Sequence, residues 1–335
     1  MEKKPVQTSK QAEELRKQVD AAFLALVQDD NLQEVLDIMV KFTNKTLNNS
    51  IAIMLQNPNA TNVNTMNNWN FNGRSVEPGQ KPIRTIQAVF DKTESEIVDE
   101  NGNLDRKGKS KLTGYNVGYE YDISQTRVKT QELADKHAGI DLPAATKDLS
   151  ETKKALENCL YNFKVEYRPI ADITSTIDGK ETKTPVTGAI DNENKKIVIK
   201  EGMSEQETIS ALVQQVSKAL TNAIDRTNFR GITTSSEKDI KKLEADCVAY
   251  VVAKKMGIEP KPVDWSLIET KSWHESAIGM LRNNMDLVRK NSASIVNGIS
   301  KHFENLATQQ AEATQAPAQS IEKPRAKSKQ GEMAA

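Results

Sequence analysis

Three observations predict an α+β fold for this chain of 335 residues. Apolar residues recur at helical spacing in both halves: Leu32, Val35, Leu36 and Met39 early, then Ile209, Leu212, Val213, Val216 and Leu220. Tyr115, Val117, Tyr119, Tyr121 and Ile123 alternate with period two, the pattern of a strand with two distinct faces. Helical and extended patterns come in runs rather than in strict alternation, which separates α+β from a βαβ chain.

Taken in order, residues Thr8 to Val27 read as a polar helix, and Asp30 is placed to cap a second one. Leu47 to Leu55 continues as a short apolar helix. Asn57 to Asn72 is asparagine-rich and reads as a loop interrupted by Val63, Met66, Trp69 and Phe71. Turn residues Glu77-Pro78-Gly79-Gln80 lead into a strand around Ile83 to Phe90. A charged stretch, Asp91 to Lys111, carries a turn at Asn101-Gly102 before the tyrosine-rich strand.

A compositional break falls at Gly139 to Lys147, and Ser150 is placed to cap a helix through Tyr161. Extended segments at Lys164 to Ile170 and Thr184 to Ile190 flank a turn at Asp178-Gly179. Asp191 to Asn194 turns into a strand at Lys196 to Lys200. Helices follow at about Glu205 to Ala223, Glu237 to Met256 and His274 to Glu304. Beyond Ala307 the chain is too polar to bury a core. The expected organisation is one domain over 8–140, a second over 150–304, and a disordered tail over 305–335.

Charge is balanced, with 46 basic and 46 acidic residues, so nucleic-acid binding requires a local patch rather than a global field. An apolar fraction of 37% points to solvated loops and a tail. The longest apolar runs are as short as Val248 to Ala253, and Met1 to Glu14 lacks the apolar core of a signal peptide. Cys159 and Cys247 are the only cysteines, too few for a disulfide framework. These features predict a cytoplasmic protein, with no membrane partner and no cofactor.

Gln214 and Lys218 stand four apart, on a helix face expected to lie opposite the apolar stripe and away from the core. Gly202-Met203-Ser204-Glu205 opens that helix after a strand, and Leu243-Glu244-Ala245-Asp246 follows about thirty residues on. With Gly188 to Asp191, the strand at Lys196 to Lys200, Glu244 to Tyr250 and the Trp273 region, this half resembles the zincin-like domain of ArdC-like (LtrC-like) antirestriction proteins. The resemblance sets Gln214-Gln215-Val216-Ser217-Lys218 where a zinc peptidase carries His-Glu-x-x-His. Gln214 then replaces the first histidine, Gln215 the glutamate and Lys218 the second histidine. Glu244 corresponds to an acidic third ligand, with Asp246 close enough to leave that choice open. A glutamine carbonyl is a poor zinc ligand, Gln215 cannot accept a proton, and an ammonium repels a cation. The expectation is a zincin-like fold with neither metal nor peptidase activity.

The first half resembles the single-stranded-DNA-binding domain of the same family. The likeness rests on Ser50 to Thr61, including Gln56 and Asn57, then Trp69, Gly73 to Val76, Pro78 to Lys81, and Tyr121 to Thr126. Single strands bind exposed π-faces flanked by cations, and Trp69, Phe71, Arg74, Lys81 and Arg84 supply both within one segment. The expected DNA-binding residues are Gln56, Asn57, Trp69, Arg74, Lys81, Arg84 and Gln125. Trp69 has two readings, a core anchor or a stacking platform. Residues 1–150 hold 19 basic and 21 acidic residues, so binding is expected to be modest and salt-sensitive. The resemblance implies an antirestriction-type accessory protein of a bacterial plasmid or phage. The alternatives are an interaction protein that uses the metal-free cleft for a protein partner, and a peptidase with an unrecognised site.

Overall fold

The computed structural model describes residues 8–28, 31–93, 97–98, 104–105, 109–160, 162–177, 180–222, 237–267 and 275–315. The chain opens with three helices, α1 (Lys10–Gln28), α2 (Leu32–Lys41) and α3 (Leu47–Gln56). The first is less polar in its packing than in its composition: Ala12, Leu15, Val19, Phe23 and Val27 form a buried stripe. Asp30 lies outside the described residues; Asn31 holds the cap position of α2, and its side-chain amide donates to Glu34 Oε2 at 2.6 Å. Thr46 caps α3 by accepting from the Asn49 amide.

The asparagine-rich segment is more ordered than a loop. It forms β1 (Val63–Asn64) and a short helix, α4 (Met66–Phe71), capped by Thr65. Met66 and Trp69 are three apart, which is helical spacing, and burial of Trp69 anchors the turn. β2 (Arg74–Val76), β3 (Ile83–Thr93), β4 (Ile97–Val98), β5 (Leu104–Asp105) and β6 (Lys109–Asp122) follow. β3 and β6 form a long antiparallel hairpin, and β1 pairs with the other edge of β6. The turn expected at Asn101-Gly102 lies outside the described residues. After a single 3₁₀ turn (Ile123–Gln125), β7 (Thr126–Val128) pairs antiparallel with β2.

The expected break at 139–147 is spanned by structure: α5 (Gln131–Lys136), α6 (Leu142–Ala145) and α7 (Leu149–Asn158). Leu142 is buried in the core, and the Thr146 hydroxyl donates to the Met256 carbonyl at 2.6 Å. Asp148, rather than Ser150, caps α7, accepting from the Glu151 amide at 3.1 Å. β8 (Lys164–Arg168), β9 (Ile173–Ile177), β10 (Lys180–Thr184), β11 (Gly188–Asp191) and β12 (Lys196–Lys200) come next. They form a β9–β10 hairpin and a three-stranded sheet in the order β11-β12-β8, with β12 and β8 parallel. The Asp178-Gly179 turn lies outside the described residues.

Three helices complete the fold: α8 (Glu205–Asn222), α9 (Glu237–Lys255) and α10 (Glu275–Gln315). α10 runs well into the segment expected to be a disordered tail. Its Ala, Gln and Glu residues are good helix formers, so the helix continues past Leu306, which packs on the core, while the side chains of residues 307–312 are exposed. One apolar cluster joins Leu15, Phe23 and Met39 from the first half to Val248, Val252, Met285 and Ile299 from the second. Polar contacts reinforce the junction: Tyr250 donates to Asp37 Oδ1 at 2.8 Å, and Arg289 Nη1 donates to the Thr43 carbonyl at 3.2 Å. The architecture is α+β, with small sheets set among packed helices.

Candidate nucleic-acid interface and the Lys218–Asp246 pair

Trp69 is 2% exposed, and its indole Nε1 donates to the Tyr121 carbonyl at 2.8 Å. Of its two readings the structure selects the core anchor: the ring offers no face for a base, so Trp69 leaves the expected DNA-binding set. Four other expected DNA-binding side chains are engaged in holding the fold. The Gln56 amide bonds in both directions to the backbone of Arg84, at 2.8 and 3.0 Å. Asn57 accepts from the Asn59 amide in the turn after α3. Arg74 Nε donates to Thr126 Oγ1 at 2.8 Å. Gln125 Nε2 donates to the Lys81 carbonyl at 2.8 Å, and its Oε1 accepts from the Asp122 amide. The Lys81 side chain is exposed and Arg84 is half-buried.

Asp122 organises the backbone at the Tyr121 to Thr126 run. Its carboxylate accepts from the amides of Thr61, Asn62 and Ser124 and from the Ser124 hydroxyl, tying β6 to the start of β1. Burial pushes this carboxyl upward, but the four donors outweigh it and hold it below the usual carboxylate value.

Surface aromatics lie elsewhere. Tyr119 is 51% exposed on β6, directly across the ladder from Arg84. Phe71, at the end of α4, is 70% exposed, with its ring centroid 4.9 Å from that of His137. The strand pattern already showed Tyr119 at alternating spacing. What it could not show is which face of the β3–β6 hairpin stays open, because that depends on where the helices pack.

In the second half, α8 is enclosed nearly all round. β11 and β12 pack on one side, α7 and α9 on others, so Gln215 and Ser217 are buried and Gln214 and Lys218 half-buried. The face expected to look away from the core instead meets α9. Asp246 interacts there with Lys218, and the Gln214 amide hydrogen-bonds to the Asp246 carboxylate. The structure therefore brings Asp246 to Gln214 and Lys218. Glu244 is buried two residues earlier, about 200° around the same helix. Burial pushes the Asp246 carboxyl up, against the pull of Lys218, Lys242, Lys261 and Gln214. Burial also pushes the Lys218 ammonium down, and Lys242 and Lys261 add to this while Asp246 opposes it. Gln215 packs onto β11: a Cβ at Gly188 would lie 2.8 Å from Gln215 Cγ and 2.9 Å from the Val198 carbonyl oxygen.

A cleft beside this pair is lined by Ser210, Gln214, Asp246, Tyr250, Ile258 and Lys261, with room of about 30 Å³, enough for a water or two. A neighbouring cleft of about 370 Å³ lies among Pro143, Thr146, Gln206, Met256 and Gly257. Both thiols are unreactive by environment: burial pushes Cys159 up to about 12 and Cys247 well above its ordinary value. Among the described residues, no three His, Cys, Asp or Glu side chains gather in a way that could hold a metal ion. No described helix is long and apolar enough to cross a membrane.

The fold and these sites define the molecule as an α+β protein with exposed aromatic residues in its first half and a half-buried lysine–aspartate pair in its second. Among solved structures the chain is similar to the metal-free crystal structure of the antirestriction protein ArdC from plasmid R388, at 10% identity and a TM-score of 0.45, covering 86% of this chain and 97% of that one. It is also similar to the Mn(II)-bound structure of that protein, at 11% identity and a TM-score of 0.38, covering 90% and 99%. No protein-family model matches the chain, and no curated protein matches it.

Proposed function

We infer that this chain is a single-stranded-DNA-binding accessory protein of the antirestriction type, carried by a bacterial mobile element, whose second half performs no peptidase chemistry. One observation carries the DNA reading: a half-exposed tyrosine, Tyr119, stands directly across the β3–β6 ladder from Arg84, and Lys81, exposed, precedes Arg84 by three residues. A π-face opposite a cation is the combination that sequence-tolerant binding of single strands uses. The antirestriction role comes from the likeness of the sequence runs to ArdC-like proteins.

The zinc implied by that likeness does not fit the side chains. An ammonium occupies the face where a divalent cation would have to sit, and the Asp246 carboxylate is already engaged by Lys218 and Gln214. Glutamine at 214 and 215 supplies neither a strong ligand nor a general base.

Fluorescence anisotropy of the full chain with a labelled oligonucleotide tests the DNA reading. Single-stranded DNA should bind more tightly than the matching duplex, with affinity falling steeply as salt rises. Equal binding to both forms, or no single-strand affinity at low salt, sinks it. The cleft of about 370 Å³ beside α8 favours the second reading, a module that holds a protein partner, which takes over in that event. Metal analysis of the purified protein addresses catalysis. About one zinc per chain, lost on Asp246→Ala, would overturn the metal-free assignment.

A further inference from the structure

Phe71 exposes 70% of its surface, an unfavourable arrangement for a ring that could have joined the Trp69 core two residues away. Local geometry holds it in place. Gly73 follows α4 with a φ of +71°, a conformation glycine adopts without strain. Its carbonyl accepts from the amides of Lys129 and Thr130 at 2.8 and 2.9 Å. A Cβ at this position would lie 2.5 Å from the Thr130 carbonyl oxygen and 2.6 Å from Leu133 Cβ. The absent side chain lets the start of α5 close against the α4–β2 corner. Six residues into that segment His137 caps the end of α5, and its ring sits 4.9 Å from Phe71 at an interplanar angle of 45°.

Exposed cations lie close to this pair of rings along the chain. Arg127 is the middle residue of β7, paired with Ser75 of β2, Lys129 follows that strand, and Lys136 immediately precedes His137; all three are exposed. An exposed ring against a half-buried imidazole, in a segment that carries these three exposed cations alongside Glu132 and Asp135, offers a π-face to an unstacked base and positive charges to its neighbouring phosphates. A duplex keeps its bases stacked and offers such a surface only phosphates.

We propose that Phe71 and His137 form a two-ring platform for one unstacked nucleobase of a single strand, with Arg127, Lys129 and Lys136 placed for the adjoining phosphates. The assignment rests on the single-strand reading above but uses residues outside the Arg84–Tyr119 pair.

The test compares the full chain with Phe71→Ala, Phe71→Trp and His137→Ala, using labelled oligo-dT and an abasic oligonucleotide of equal length. Phe71→Ala should weaken oligo-dT binding roughly 5- to 100-fold, the range for loss of one stacked base. Its affinity for the abasic strand and its melting temperature should stay unchanged, because Phe71 is outside the core. Phe71→Trp should retain binding and show fluorescence quenching by oligo-dT. His137→Ala should give a smaller loss in the same direction. If Phe71→Ala binds oligo-dT like the wild type, or loses the abasic strand equally, the platform is wrong while the single-strand reading stands. If the wild-type chain binds neither strand, both fail together.

Discussion

The side-chain amide of Gln56 pairs with the backbone of Arg84 as a neighbouring strand would: Nε2 donates to the carbonyl at 2.8 Å and Oε1 accepts from the amide at 3.0 Å. Asn49, seven residues earlier on the same face of α3, repeats the arrangement at Ile86, at 3.1 and 2.7 Å. Arg84 and Ile86 direct their backbone groups away from β6, so the two amides cover an edge that would otherwise be open to strand pairing.

Removing these clamps should cost stability in proportion to their burial. Gln56→Ala should lose about 1 kcal/mol, and Asn49→Ala about 1–2 kcal/mol, because the bonds at Ile86 are less solvated. Urea denaturation of the single and double variants measures both. If neither variant changes the midpoint, the side-chain amides do not hold the edge.

Trp69→Ala should destabilise the protein by about 3–5 kcal/mol, since it empties a fully packed indole site. Trp69→Phe should retain part of the packing but leave the Tyr121 carbonyl without its donor, at a cost of about 1–3 kcal/mol. Single-strand affinity, measured per folded molecule, should be unchanged in Trp69→Phe. A folded Trp69→Ala with wild-type stability and weakened DNA binding would restore the platform role.

Asp122 should contribute to acid sensitivity. Its folded-state value is held below the ordinary 3.8, so its stabilisation is fully present above that value and is lost as pH falls through the lower folded value. Asp122→Asn should remove this component, giving a shallower decline in melting temperature below about pH 4 and lower stability at neutral pH. An unchanged acid limb would mean that the carboxylate gains nothing from its four donors.

For the Lys218–Asp246 pair the signs run the other way. Burial raises the folded value of Asp246, so its contribution is greatest below the ordinary carboxylate value and is lost as pH rises through the raised one. Lys218 is lowered, so its contribution is present above the ordinary lysine value and is lost as pH falls through the lowered one. Where both groups are ionised, each offsets part of the desolvation cost of the other. Lys218→Met alone should destabilise by roughly 1–2 kcal/mol, less than for a fully buried pair because solvent reaches both groups. Lys218→Met with Asp246→Asn should recover most of the loss. Additive losses in the two single variants would show that the ions do not act as a pair.

Much of the fold was legible because periodicity records which side of an element faces an apolar neighbour. The stripes at Leu32 to Met39 and Ile209 to Leu220 lie where their spacing placed them, and Tyr115 to Tyr121 is a strand. The site was less legible. Gln56, Arg74 and Gln125 sit in recognisable runs, yet their polar groups hold backbone and side-chain partners 28, 52 and 44 residues away in sequence.

The sequence by itself determined the α+β class, most element positions, the balanced charge and the chemistry of Gln214, Gln215 and Lys218, because these depend on local spacing and residue type. Only the tertiary structure decided that Trp69 is sealed while Tyr119 and Phe71 are open, that Asp246 rather than Glu244 faces Lys218, and that one core crosses from the first half into the second. Burial and pairing are properties of what packs against a residue, and those neighbours come from parts of the chain that no local pattern connects.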